Sequence, residues 1–209
     1  VGRASRESIM TALYETLIAS VQESFTATTT LNSPILTNVS TTAGLFLGLP
    51  VFGTSVPRGA VITSLSPLTL SLPATGNTYA AALSTGFLTT GRRLKFWTDV
   101  AEQPALFLRD GDEELDYPQE QGVLQLQTLK PEIWIYSNAG QNPDLAPATG
   151  LNNLLDAVQA AFAPDSPQTG RFTLGGLVFW CRLNGKVTKE PGDLDGQAIA
   201  IAEVEITVP

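Results

Sequence analysis

Between residues 26 and 90 the chain carries one charged side chain, Arg58, and every other Lys, Arg, Asp and Glu lies outside that stretch. The stretch is dense in Thr, Ser, Gly and Leu. It begins after Glu23-Ser24-Phe25 and ends at Gly91-Arg92-Arg93. An edge that abrupt predicts a module boundary. It divides the chain into a charged α+β body, 1–25 plus 91–209, and a neutral module inserted at 26–90.

Of 209 residues 43% are apolar, which fits one domain or one domain with a small insert. The body alone has about 144 residues. A domain that size buries roughly two-thirds of the surface its unfolded chain exposes, enough for a core without disulfides or metal. Cys181 is the only cysteine, so no intrachain disulfide forms. The start is polar (Arg3, Ser5, Arg6, Glu7) and has no signal-peptide pattern. No run of about 18 apolar residues exists to span a membrane. The net charge of −8 opposes nonspecific binding to a phosphate backbone. His is absent, which removes the commonest general base and the usual nitrogen ligand of zinc. No enzyme activity, cofactor or metal is expected.

Two helices are legible in the body. Ile9, Leu13, Leu17 and Val21 recur every fourth residue and predict a helix over 5–24, with Ser5 as N-cap. Leu151, Leu154, Leu155, Val158 and Phe162 form one stripe and predict a second over 151–163, capped by Thr149 or Asn152 and ended by Pro164 and Pro167. The intervening 137–150 reads as a loop.

Strands are predicted at 94–97, 104–109, 123–129, 133–136, 172–183 and 197–208. Asp110, Asp112, Glu113, Glu114 and Asp116 read as an acidic turn. Pro131 is expected at a bend or a strand's first residue, not in a central ladder. Gly175-Gly176 predicts a bulge or a close backbone contact, Asn184-Gly185 a hairpin turn, and 192–196 a loop. In the last strand Ile199 and Ile201 have the opposite parity to Val204, Ile206 and Val208, which predicts a bulge near Ala202–Glu203. Short turns imply a mostly antiparallel sheet, covered on one face by the two helices.

Within 26–90, short strand candidates at 35–39, 50–52, 60–65 and 68–72 are punctuated by Gly and Pro. That spacing predicts a small all-β fold. The run Gly48-Leu49-Pro50-Val51-Phe52-Gly53, Pro57-Arg58-Gly59-Ala60-Val61 and Thr69-Leu70-Ser71 resembles a β module of phage virion proteins. The resemblance implies a surface decoration, passive or weakly glycan-binding.

Asp193, Asp195 and Gly196 lack the remaining ligands of a calcium loop and read as a solvated turn. Arg92, Arg93 and Lys95 beside Phe96 and Trp97 read as a strand with exposed cations and buried aromatics. Arg92 and Arg93 are candidates for an inter-subunit ion pair with the acidic segment, Asp110 to Asp116. The same carboxylates are candidates for a DNA-repelling surface. Cys181 reads as a small buried side chain.

Residues 103–209 resemble the tail terminators, minor tail proteins of long-tailed phages. The resemblance lies in Gln103-Pro104-Ala105-Leu106-Phe107, Ile133-Trp134-Ile135-Tyr136 and Leu151-Asn152-Asn153-Leu154-Leu155-Asp156-Ala157-Val158. It continues in Thr173-Leu174-Gly175-Gly176-Leu177-Val178, Gly196-Gln197-Ala198-Ile199-Ala200-Ile201 and the ending Val208-Pro209. With the N-terminal helix and Arg92 to Val100 it covers most of the body. It implies an α+β subunit of a homo-oligomeric ring, usually a hexamer, assembled in the host cytoplasm into the virion. The ring would sit on the last tail-tube ring, stop polymerisation and offer a head-joining surface to a neck protein. DNA would pass its lumen without specific binding, and the insert would point away from the lumen and stacking faces. A head–tail adaptor, another neck protein, or a glycan-binding accessory protein acting through the insert are the alternatives.

Overall fold

The computed structural model describes residues 4–116, 126–138, 148–166, 168–192 and 196–208. Arg3, Val123–Gln125, most of the 137–150 loop, Pro167, Asp193, Asp195 and Pro209 lie outside the described residues. The fold is mixed α+β, mostly sheet, and the sheets are largely antiparallel.

Helix α1 spans Arg6–Ala19 and buries Ile9, Met10, Leu13 and Leu17. Ser5 is its N-cap: the Ser5 hydroxyl accepts a hydrogen bond from the Ser8 N–H, which satisfies one of the helix's free donors. The helix stops before the expected residue 24 because Ser24 already opens strand β1 (Ser24–Thr29). β1 lies beside β5 (Thr78–Thr85), which in turn pairs with β2 (Val51–Gly53). Strands β3 (Ile62–Leu65) and β4 (Leu68–Leu70) form a separate two-stranded sheet. The expected strand at 35–39 is reduced to the single bridges Ile35↔Thr69 and Thr28↔Thr37. β5 carried no apolar signal because its buried positions are filled by Ala81 and Leu83 alone among apolar residues.

The body sheet has five strands in the order β6-β7-β8-β10-β9. They are β6 (Thr89–Gly91), β7 (Ala105–Asp116), β8 (Leu126–Asn138), β9 (Trp180–Glu190) and β10 (Gln197–Val208). All pairs are antiparallel except β6 with β7. Because β6 already occupies β7 at Ala105–Phe107, residues 94–97 find no ladder there. The expected strand is instead an extended crossing that ends in a single 3₁₀ turn, Trp97–Asp99.

One face of this sheet is apolar. Leu106 and Leu108 of β7, Leu129, Ile133 and Ile135 of β8, and the even positions 198–208 of β10 are all buried. They share one continuous cluster with α1 and with Leu151, Leu154 and Val158 of α2 (Thr149–Ala160). The cluster also takes in Leu36, Leu49, Ile62, Leu70 and Leu83, so residues of 26–90 pack on this same side of the sheet. Asn153 of α2 donates to the Leu47 carbonyl at 3.1 Å, a polar tie between the helix and residues 26–90. α2 starts on Ala148 with no side-chain cap, so neither Thr149 nor Asn152 serves that role. No helix among the described residues is long and apolar enough to cross a membrane.

The acidic segment is not a turn. It continues β7 to Asp116, paired with β8 as far as Asp116↔Leu126. Between Arg109↔Glu132 and Asp112↔Lys130, Asp110 and Gly111 stand opposite Pro131 alone, which is a β-bulge. Pro131 therefore does lie in a central strand, against expectation, at the step where the ladder to β7 breaks; lacking an N–H, it fits no regular ladder position. The bulge also reverses parity. Leu106 and Leu108 face the core, and an unbroken strand would put Asp110, Asp112, Glu114 and Asp116 there too. With one extra residue, Asp112, Glu114 and Asp116 turn to the opposite face.

At the other edge, the expected strand over 172–183 begins only at Trp180. Leu174 (φ 52°), Gly175 (φ 69°) and Gly176 (φ 88°) are consecutive left-handed residues, so they make a turn rather than a bulge in a strand. Asp165 accepts from the Thr173 and Gly175 N–H groups, at 2.8 and 2.9 Å, and pins that turn. Asn184-Gly185 is no hairpin tip but lies inside β9; the reversal to β10 falls between Glu190 and Gln197. β10 keeps its alternation throughout, since Ala198, Ala200 and Ala202 continue the buried face of Val204, Ile206 and Val208. The predicted irregularity exists in the pairing between Ile201 and Glu203, yet the extra residues belong to β9 and no phase change occurs in β10.

A Cβ at Gly111 would lie 1.8 Å from the Lys130 carbonyl oxygen. Gly111→Ala should therefore cost about 1–3 kcal/mol of overpacking in urea unfolding. Gly86→Ala, whose Cβ would meet Phe52 at an ordinary 3.7 Å, should stay within about 0.5 kcal/mol of the parent.

Candidate functional site

Side chains directly opposite each other in an antiparallel pair share a face. The registers Asp112↔Lys130, Glu114↔Thr128, Arg109↔Glu132, Glu132↔Glu203 and Glu205↔Arg182 therefore assemble one surface on the side away from the helices. It has two halves. Ala105, Phe107, Tyr136, Trp134 and Ile199 form an aromatic half with Val100 and Leu94 packed onto it. The Phe107 and Tyr136 rings lie 5.7 Å apart, and Trp134 meets Tyr136 edge-on at 6.5 Å. Tyr136 donates its hydroxyl to the Lys95 carbonyl at 2.9 Å, tying down the covering segment; burial pushes its pKa up.

The other half is open and acidic. Asp112, Glu114, Asp116, Glu132, Glu203 and Glu205 share it with Arg109, Lys130 and Arg182 among the described residues. Arg109 reaches Glu132 at 2.9 Å, Lys130 reaches Glu114 at 2.5 Å, and Arg182 reaches Glu205 at 2.6 Å. Asn184 adds a second donor to Glu205 at 2.7 Å, and the Trp134 indole N–H donates to Glu132 at 2.8 Å. Asp112, Asp116 and Glu203 make no ion pair with another described residue. Exposed pairs of this kind contribute about 0–1 kcal/mol each, so they do not account for so many carboxylates on one surface.

The bulge splits the acidic residues singled out in the sequence. Asp112, Glu114 and Asp116 are on the open face, whereas Asp110 and Glu113 turn toward α1. Glu113 is bound by Arg6 of α1 and by Gln127. Arg92 donates to Glu7 at 2.5 Å and to Asp110 at 3.1 Å. Burial weakens the Arg92 charge, and these two hydrogen-bonded carboxylates more than restore it. Arg92 thus pairs with the acidic segment inside one chain. Arg93 is exposed and paired with no described carboxylate. The expected alternation beside it does not occur: Phe96 is 79% exposed, and Leu94 is the residue that packs inward.

Sequence reading missed Glu132, Glu203 and Glu205 as members of the surface. Their signal was parity: Glu203 and Glu205 alternate with the buried Val204 and Ile206, which places them on the uncovered face. Among the described residues no group of three or more His, Cys, Asp or Glu side chains is placed to hold a metal ion. Cys181 is buried, and burial, with the Asp165 charge second, pushes its thiol pKa far up, which makes it inert. No protein-family model matches this chain, and no curated protein matches it in sequence.

Glu132 and Glu203 stand directly opposite each other, a like-charge pair that destabilises a sheet. Glu203→Gln should therefore raise stability by about 0.5 kcal/mol in low salt. The gain should fade by about 1 M salt in a urea-melt series, where screening is short-ranged.

Proposed function

We propose that this chain is a structural virion subunit of the tail-terminator kind. It forms a ring on the head-proximal end of a phage tail tube, ends tube growth and presents a surface for head joining. The observation that carries the reading is the two-faced sheet: an apolar side under α1, α2 and residues 26–90, and an open acidic side. With the open side inward, each subunit presents Asp112, Asp116 and Glu203 to the channel. Carboxylates repel a phosphate backbone, so DNA passes without sticking. The same orientation leaves the neutral 26–90 module outside, because its apolar residues join the cluster on the helix side. The absence of His and the inert Cys181 agree with a structural rather than catalytic role. The stretches that resemble tail terminators fall on β7, β8 and β10, which carry the two-faced sheet, on α2, which covers its apolar side, and on the turn before β9.

A second reading, glycan binding through residues 26–90, is favoured by Tyr79, which is 83% exposed on β5. An aromatic face bare to solvent beside Asn77 and Thr78 is a chemically apt sugar platform. It is compatible with a ring subunit and adds to that role rather than replacing it.

The purified protein added to polymerising tail-tube subunits of its own phage should arrest tube length and leave a ring at one end, seen by negative-stain microscopy. Tubes that lengthen as they do without it would remove the terminator role. Rings found only on isolated heads would indicate an adaptor.

A further inference from the structure

We infer that the partner of the β7–β8 arm is the β9 edge of a second copy of this chain, so that copies join head to tail. This deepens the ring reading above and rests on it. β6 covers β7 only at Ala105–Phe107, so among the described residues Asp112–Asp116 has no strand on its outer side. The arm is acidic, and its tip exposes Leu115 and Leu126, each 41% accessible. The far edge of the sheet is the complement. There Leu177 and Phe179 are exposed, and Arg171 stacks over the Phe179 ring at 4.2 Å. Arg182, opposite Glu205 on β10, stacks over Trp180 at 4.3 Å. One edge offers carboxylates around two leucines; the other offers cations around two aromatics.

Height and direction agree as well. Glu114↔Thr128, Thr128↔Thr207 and Thr207↔Trp180 form one line across the sheet. The acidic tip and the aromatic–arginine cluster therefore stand level. A rotation about an axis along the strands preserves that level and brings β9 of one copy against β7 of the next. Since the sheet alternates from β7 through β8 and β10 to β9, the two meeting strands run antiparallel. The patches lie on opposite edges, so the contact is heterologous, and repetition closes a ring rather than a two-fold dimer. The Cys181 N–H is already bound to the Phe172 carbonyl at 2.8 Å. At that height the junction is made by side chains, not by a continued backbone ladder.

The test is sedimentation velocity of the full chain and three charge variants, with circular dichroism as the folding control. Asp112→Lys with Asp116→Lys should lose the oligomer, as should Arg171→Glu with Arg182→Glu. Combining all four substitutions in one chain swaps the two edges and should restore the wild-type oligomer. Variants that assemble like wild type would overturn this junction while leaving the ring reading standing. Failure of the four-fold variant to recover would overturn the charge pairing. A wild-type chain that stays monomeric at every concentration would overturn the ring reading and this junction together.

Discussion

A proline with no N–H to donate, set in the middle of β8, decides which way the acidic half of β7 faces. Pro131 cannot hold a regular ladder position, and β7 answers with an extra residue across from it. Gly111 is the residue that fits, because any side chain there would run into the Lys130 carbonyl. The parity reversal that follows turns Asp112, Glu114 and Asp116 away from the core. Without it, carboxylates would face the apolar side of the sheet, where an unpaired charge costs several kcal/mol. The two faces of the molecule, and hence the acidic surface, depend on that single irregular step.

The apolar face rests on a plainer device, the unbroken alternation of β10. Small residues at Ala198, Ala200 and Ala202 and branched ones at Val204, Ile206 and Val208 continue one buried row. Lys189, opposite Ala200, donates to Asn152 of α2 at 3.1 Å, which puts the helix over the alanine end. Leucines from 26–90 enter the same cluster, so the neutral stretch and the charged body are joined mainly through apolar packing, with the Arg58–Glu102 ion pair at 2.5 Å beside it. That explains how a stretch with one charged residue remains anchored: most of its Thr and Ser are at least partly exposed, Thr29 and Thr85 being buried, while Leu36, Leu49, Ile62 and Leu83 are inside.

Much of this was legible in the residues. Four-residue spacing located α1 and α2, and alternation located β10; β8 reads from the sequence as two strands, 123–129 and 133–136, parted at Pro131, where the fold has one strand, Leu126–Asn138. Ser5 was recognisable as a cap because its hydroxyl precedes an apolar stripe. What failed did so for physical reasons. A run of carboxylates reads as a turn because isolated charge favours solvent, yet this half of β7 lies past the end of β6, so its side chains are solvated while its backbone still pairs with β8. Asn184-Gly185 carries the local signature of a hairpin, but a register slip against Ile201–Glu203 uses the same glycine conformation (φ 73°) within a strand. The apparent change of parity in β10 follows the large Ile199 and Ile201, whereas the buried row there is made of the small Ala198, Ala200 and Ala202. Glu132, Glu203 and Glu205 became part of one surface only once the register was known, since no spacing in the chain links β8 to β10.

The acidic surface costs the fold something, since Glu132 opposes Glu203 and three of its carboxylates have no cation from a described residue. Charge kept at such a cost on an otherwise coverable sheet face fits a lining that must not hold a polyanion. The most direct measurement is an electron cryomicroscopy map of the assembled protein at side-chain resolution. The account predicts a closed ring with Asp112, Asp116 and Glu203 lining the channel, α1 and α2 outside them, and residues 26–90 on the periphery. A map with the helices or 26–90 in the channel, or with the acidic face buried between subunits, would contradict it.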